Sequence, residues 1–190
     1  MTSLGLLWLG LGLGWMIAEI ALARGTRSHV QSAVNRDQGS ERMVWTVVGS
    51  SLVVALWLGT IRWLPLPMSN TSAQTIAIPL FASGLALRSY AVATLGRLFT
   101  TRVAVHRDHT FVQSGPYRWV RHPGYGGLLM AFLGTGIAMG DWLALLALIC
   151  PIAYAFQLRI DIEEHALTER FGRAYLNYCR QTKRLIPWIY

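Results

Sequence analysis

Acidic residues are few: the 190-residue chain carries 9 Asp and Glu against 17 Lys and Arg, and charged residues make up 14% of it. An ordinary soluble domain carries about 25%. Hydrophobic residues reach 53%, so a chain of this length buries its apolar surface only if lipid covers much of it. There are 2 cysteines, Cys150 in an apolar run and Cys179 in a polar one. That excludes a disulfide framework, and no zinc or other metal-ligand spacing is present. The two read as a packing residue and a free thiol. No strand leads into a glycine-rich turn, which excludes the common soluble dinucleotide-type cofactor fold. Internal repeats and low-complexity tracts are also missing. The formal net charge of +8 does not form a solvated basic face. The basic residues sit between apolar runs, which is the pattern of membrane topology and argues against nucleic acid as a partner.

What is present is a series of long apolar runs. A helix needs about 20 mostly apolar residues to cross the hydrocarbon core. Residues 4–23 meet that requirement. No Lys or Arg precedes this run and it is too long for a signal peptide, so it reads as a retained span. A second span is expected over 43–64, ended by Pro65 and Pro67, which lack the backbone donor. The third covers 73–95 and contains Pro79, tolerated where neighbours satisfy the freed carbonyl. After a polar, basic stretch the chain turns apolar again over 124–158, interrupted at Gly140-Asp141. This predicts a tight hairpin of two short spans, 124–139 and 142–158. The fold class expected is therefore all-α, a single polytopic membrane bundle of about five helices over residues 1–190.

The positive charges fit this scheme. Apart from Arg62 and Arg88, all 17 Lys and Arg fall in segments 24–42, 96–123 and 159–190, and the connections 65–72 and 140–141 carry none. Five crossings put those three segments on one face. Cytoplasmic loops hold the Lys/Arg excess, which predicts the N-terminus outside and the loop and C-terminus in the cytoplasm. Arg62 and Arg88 lie near span ends, where basic side chains snorkel. Beyond the last span, Ile162, Ala166, Leu167, Phe171, Ala174, Tyr175 and Tyr178 recur at three- and four-residue steps. That predicts an amphipathic helix over 161–183, either starting at Asp161, where Asp161 and Glu164 resemble a capping box, or simply continuing the fifth span.

Chemistry-bearing residues concentrate at the expected cytoplasmic end. His109-Thr110-Phe111-Val112-Gln113-Ser114-Gly115-Pro116-Tyr117 leads into Arg118-Trp119-Val120-Arg121-His122-Pro123-Gly124-Tyr125. Gly-Pro and His-Pro-Gly are turn signals, and they hold cationic and aromatic groups directly beneath a membrane hairpin. Downstream, Arg159 and Glu163 stand four apart on one helical face, with Glu164 beside them. Ionisable groups at membrane depth are functional candidates.

These stretches, with Phe171-Gly172 and Tyr175-Leu176-Asn177-Tyr178, resemble the isoprenylcysteine carboxyl methyltransferase family, whose wider relatives include phospholipid N-methyltransferases. The resemblance runs over about 106–187. It implies an integral membrane enzyme that uses S-adenosylmethionine (SAM) to methylate a lipid-like or prenylated acceptor. By that resemblance, His109, Thr110, Phe111 and Val112 line the cofactor pocket, largely through backbone groups. Tyr117, His122, Pro123, Gly124, Tyr125 and Glu163 match further cofactor contacts. Arg159 matches an arginine assigned to the methyl acceptor. His106 stands where relatives often have a cofactor-contacting glutamine; its imidazole retains hydrogen-bonding capacity.

The residue types suit methyl transfer. A carboxylate acceptor is already a nucleophile at neutral pH and needs a cation to orient it, for which Arg159 is suited. An amine or thiol acceptor needs a base, and His122, Glu163 or Glu164 are the candidates. Taken singly, each has a plainer reading. Arg159 and Glu163 make an ordinary helical pair; Tyr117 and Tyr125 are interfacial aromatics; Arg118, Arg121 and Arg184 are topology or lipid-facing charges; and His29, His109 and His165 are solvated. Two other functions compete: a sterol-reductase-like nicotinamide enzyme, with Arg118 and Arg121 offered to phosphate, and a non-catalytic membrane scaffold. Glu163-Glu164 argues against a polyanionic cofactor there.

Overall fold

The computed structural model describes residues 3–27, 34–35, 39–96, 99, 104–105 and 112–190, with side chains over 5–22 in the first segment and backbone alone at 34–35 and 104–105. Six helices follow in order: α1 (Ser3–Arg27), α2 (Ser40–Ile61), α3 (Asn70–Leu95), α4 (Pro123–Met139), α5 (Trp142–Phe171) and α6 (Arg173–Gln181). A 3-10 turn, Gly115–Arg118, precedes α4. The one β-ladder with named strands among the described residues has two residues per strand and is antiparallel, β1 (Val34–Asn35) with β2 (Ala104–Val105). It joins the two polar segments that the sequence reading left as loops.

α1, α2, α3 and α5 are each long and apolar enough to cross a membrane, while α4, with 17 residues, is a shorter apolar helix. At 1.5 Å per residue α4 is about 25 Å long. It runs antiparallel beside α3: Gly124 faces Arg88 at one end, and Gln74 donates to the Ala138 carbonyl (3.1 Å) near the other. Small residues allow this approach. A Cβ at Gly127 would stand 2.5 Å from the Gly84 carbonyl oxygen, and one at Gly134 would stand 2.7 Å from that of Ala77. Close backbone packing through glycine is the mode by which apolar helices associate when lipid supplies no hydrophobic drive. The core between α2, α4 and α5 is built on Ala55, Leu128, Phe132, Leu148, Ile152 and Phe156.

The two short connections meet at the end opposite the basic segments. Asp141 is fully buried. Its carboxylate caps α5 by accepting from the Ala144 amide (3.0 Å) and also accepts from the Leu64 amide (2.7 Å). The Trp142 amide donates to the Leu64 carbonyl and that of Leu66 to the Gly140 carbonyl. Gly140 closes α4 with φ of 70°, a conformation glycine adopts without steric cost.

Three expectations need correction. No helix starts at Asp161. α5 runs unbroken from Trp142 to Phe171, stops at Gly172 with φ of 53°, and a separate short helix α6 follows. Of the two readings, continuation of the fifth span holds and the capping box at Asp161 and Glu164 fails, because the polar surface changes at Leu158 while the backbone ladder does not. At 30 residues, α5 is about 45 Å long against a hydrocarbon core of about 30 Å, an excess of about three turns that matches its polar C-terminal portion. Arg88 does not snorkel: it is paired with Glu19 inside the bundle (3.1 Å). Cys150 faces outward rather than packing in the core.

Candidate active site

Five segments converge at the basic end: the start of α2, the end of α3, the 3-10 turn with the start of α4, the outer turns of α5, and α6 with the C-terminal tail. The chain is forced to bend sharply there. Gly115 has φ of 57°, and a side chain at that position would meet Thr94 and the Tyr90 hydroxyl at 3.1 Å. Pro116 and Pro123 each sit in the first turn of their helical segment, where the missing N–H has no intrahelical partner to lose.

At the centre lies Arg159, 5% exposed. Its Nε donates to the Tyr125 hydroxyl (2.8 Å) and one terminal nitrogen donates to Ser40 Oγ at the start of α2 (2.7 Å). The Tyr125 hydroxyl in turn donates to Glu163 Oε2 (3.2 Å). The i,i+4 pair expected from sequence is thus bridged by a phenol from α4, in a directed chain from guanidinium to phenol to carboxylate. The Tyr125 ring is held between Phe156 and His122, with centroids at 5.1 and 5.9 Å. Glu163 keeps 35% of its side chain exposed, so one end of the chain is buried and the other opens to solvent.

His122, 5% exposed, lies between the two glutamates. Its Nε2 is 3.2 Å from Glu164 Oε1 and its Nδ1 is 4.0 Å from Glu163 Oε2. Glu164 is a hub. It also accepts from Arg121 Nε (2.8 Å) and from Arg184 of the tail (2.7 Å). Burial alone would raise the pKa of Glu164, but hydrogen bonds from His122 and Arg121, reinforced by their charge, outweigh it and lower it to about 2. Arg121 further donates to the carbonyls of Cys179 and Thr182. The Arg121 and His122 amides donate to the carbonyls of Lys183 and Arg184 (2.8 and 2.9 Å), a parallel bridge that seats the tail against the loop. Arg184 also pairs with Asp161 (2.9 Å). On the far side, the Tyr178 hydroxyl donates to the Tyr117 carbonyl (2.6 Å). The Tyr117 phenol is pushed well above its ordinary pKa by burial and by the negative Glu163 nearby, and it stays protonated as a donor.

Of the residues singled out from sequence, Tyr117, His122, Pro123, Gly124, Tyr125, Arg159 and Glu163 gather at this one end. Val112 is half-buried ahead of the turn. His106, His109, Thr110 and Phe111, with His29, lie outside the described residues. Arg121 and Arg184 are corrected: they are ion-paired to Glu164 rather than being lipid-facing charges. That also weakens the reductase reading, in which Arg121 was one of two arginines offered to phosphate. Ser40 and the Glu19–Arg88 pair were missed. Glu19 had a readable signal, since it is the one charged residue in 4–23; Ser40 had none.

A bundle of long apolar helices with a buried polar cluster at one end defines a polytopic integral membrane protein. Residues 76–169 match the sequence profile of the isoprenylcysteine carboxyl methyltransferase family. A probable protein-S-isoprenylcysteine O-methyltransferase of Oryza sativa subsp. indica is 35% identical over 108 residues, 56% of each chain. The protein-S-isoprenylcysteine O-methyltransferase of Rattus norvegicus is 28% identical over 193 residues, covering 93% of this chain and 65% of that one. A solved eukaryotic intramembrane Ras methyltransferase, an isoprenylcysteine carboxyl methyltransferase, matches with a TM-score of 0.62 and 30% identity over 76% of this chain and 52% of that one. The chain spans a little over half the length of the rice relative.

Proposed function

We propose that the protein is a SAM-dependent methyltransferase acting on the carboxylate of a lipid-like, isoprenylated cysteine acceptor. The observation that carries this reading is the Arg159–Tyr125–Glu163 chain, which links a buried guanidinium to a solvent-facing carboxylate at the membrane boundary inside the family-matched segment.

The donor set fits such a cofactor. Glu163 offers a partly exposed anion to the cofactor's ammonium or hydroxyl groups. Tyr117, His122, Pro123, Gly124 and Tyr125 supply aromatic and turn surfaces around it, with His106 and the 109–112 segment as the remaining contacts. When bound, SAM would supply an electrophilic methyl carbon, with the neutral demethylated thioether as leaving group. The chain's own residues then have two tasks. Arg159, fixed by Tyr125 and Ser40, orients the acceptor carboxylate; it does not need to remove a proton. Tyr125 couples the acceptor side to Glu163, so the two substrates are aligned by one hydrogen-bonded unit. Most of the rate enhancement then comes from alignment and water exclusion rather than acid–base chemistry. The distribution of Lys and Arg supports a cytoplasmic side for this end, with the N-terminus on the opposite side.

Calorimetric binding of S-adenosylhomocysteine to the purified protein tests the reading, with a nicotinamide cofactor alongside and Glu163→Ala as the variant. Binding that Glu163→Ala weakens supports it. No binding, or preference for the nicotinamide, removes it.

A further inference from the structure

α1 touches the rest of the bundle through long side chains rather than through close backbone approach. Trp8 donates to Gln74 (2.7 Å) and packs edge-on against Phe81. Trp15 packs against Phe81 and Phe132, and Glu19 takes two hydrogen bonds from Arg88 (3.1 Å each). These three residues lie on one face of α1 and hold it off α3. The gap they leave is an open groove of about 520 Å³, floored by Gly10, Gly14 and Ala18 of α1 and walled by Leu85, Val92 and Ala93 of α3. Its lining runs from Gly10 to Leu22, about 18 Å along the helix at 1.5 Å per residue. The walls are apolar except at the Glu19–Arg88 pair and the adjoining Ser89. That pair lies on the active-site side: Arg88 packs over Gly124, where an added Cβ would meet its guanidinium at 2.9 Å, and Gly124 adjoins Tyr125.

From this geometry we infer that the α1–α3 groove seats the hydrocarbon chain of the methyl acceptor, with the Glu19–Arg88 pair marking the end from which the polar head reaches the Tyr125–Arg159 cluster. The inference rests on the proposed methyltransferase reading and adds a substrate subsite to it. The pair carries no net charge and its guanidinium is satisfied by Glu19, so the groove accepts an uncharged chain. Hydrocarbon moving from lipid into this groove gains little hydrophobic free energy. What the groove supplies is alignment, since misplacement by about 1 Å at the reacting end can cost about 100-fold in rate. A groove of fixed length aligned to a fixed head position also selects chains by length.

Two glycines make the inference testable. Both line the groove, and a Cβ at Gly10 or Gly14 meets nothing within 4 Å, so a leucine there starts into open space at the groove and improves helix propensity. A graded set of S-prenylated and S-alkylated cysteine carboxylates would be assayed with the full chain in nanodiscs. Gly14→Leu is expected to lower kcat/KM at least tenfold for the longest chain and less than twofold for the shortest, with S-adenosylhomocysteine binding unchanged. Gly10→Leu, one turn farther from the pair, should move the cut-off to chains about one helical pitch longer, about 5.4 Å. Equal loss for all chain lengths, or no loss for any, overturns the inference. A prenyl carboxylate carrying a terminal diazirine gives a readout independent of turnover. Labelling of residues 10–22 and 85–93 that Gly14→Leu abolishes supports the groove, and labelling confined to α2 and α5 overturns it. If the wild type methylates no acceptor but is labelled in the groove, the enzymatic reading fails while the lipid-chain site stands.

Discussion

Removing one oxygen atom tests the hydrogen-bonded core of the site. In Tyr125→Phe the ring stays between Phe156 and His122, so packing changes little. Two hydrogen bonds disappear, from Arg159 (2.8 Å) and to Glu163 (3.2 Å). The losses are unequal. Glu163 is 35% exposed on its side chain and recovers a water, which makes its share small. Arg159 is buried, and its Nε loses an acceptor that water cannot readily replace. Hydrogen bonds to charged groups contribute about 1.5–3 kcal/mol, so about 2 kcal/mol of stability should be lost, nearly all from the arginine side. The assay is equilibrium unfolding in mixed micelles, run as a double-mutant cycle with Ser40→Ala, which removes a second acceptor on Arg159 (2.7 Å). Because both changes remove a hydrogen bond from the same guanidinium, whatever else holds it, their effects should depart from additivity by more than about 0.5 kcal/mol. A loss below that size for Tyr125→Phe, or strict additivity, would refute the reasoning, because Arg159 would then not depend on the phenol for its position.

Other consequences follow from the same contacts. Glu164→Gln should free the C-terminal tail, seen as faster hydrogen exchange over 183–190, while α4 and α5 keep their protection. The folded carboxyl of Glu164 sits near 2 against an ordinary value of 4.5. Its contribution is therefore fully present above about pH 4.5 and lost as pH falls toward 2, and Glu164→Gln should flatten the unfolding profile in that window. Gly127→Val should destabilise the bundle by at least about 1–3 kcal/mol, as overpacked cores do. The added Cβ meets the backbone oxygen of Gly84 at 2.5 Å, which cannot rotate away; thermal unfolding in detergent checks this.

Hydropathy made the helices legible because lipid imposes a length and an apolar surface on each. The hairpin at Gly140-Asp141 was readable for the same reason. Helix ends outside the membrane were not. α2 begins at Ser40 and α5 continues to Phe171, since polar residues do not interrupt a backbone ladder until a glycine such as Gly172 leaves it. The candidate residues were legible as a set through motif order, yet their wiring was not. Arg121 and Arg184 meet Glu164 across separations of 43 and 20 residues, and no local spacing encodes such pairs. Ser40 is 119 residues from Arg159 and belongs to no motif. Glu19 was legible in principle, as a lone charge inside an apolar span, and its partner Arg88 explains why it is tolerated there.

The central claim is that this end of the bundle delivers a methyl group to a carboxylate oriented by Arg159. The most direct measurement supplies methyl-labelled SAM with an isoprenylated cysteine carboxylate, and separately with an amine-headed lipid, to wild type and Arg159→Ala. The account predicts alkali-labile label on the carboxylate acceptor, reduced at least about 100-fold by Arg159→Ala as expected for loss of alignment. Alkali-stable label on the amine lipid, or equal loss on both acceptors, would contradict it.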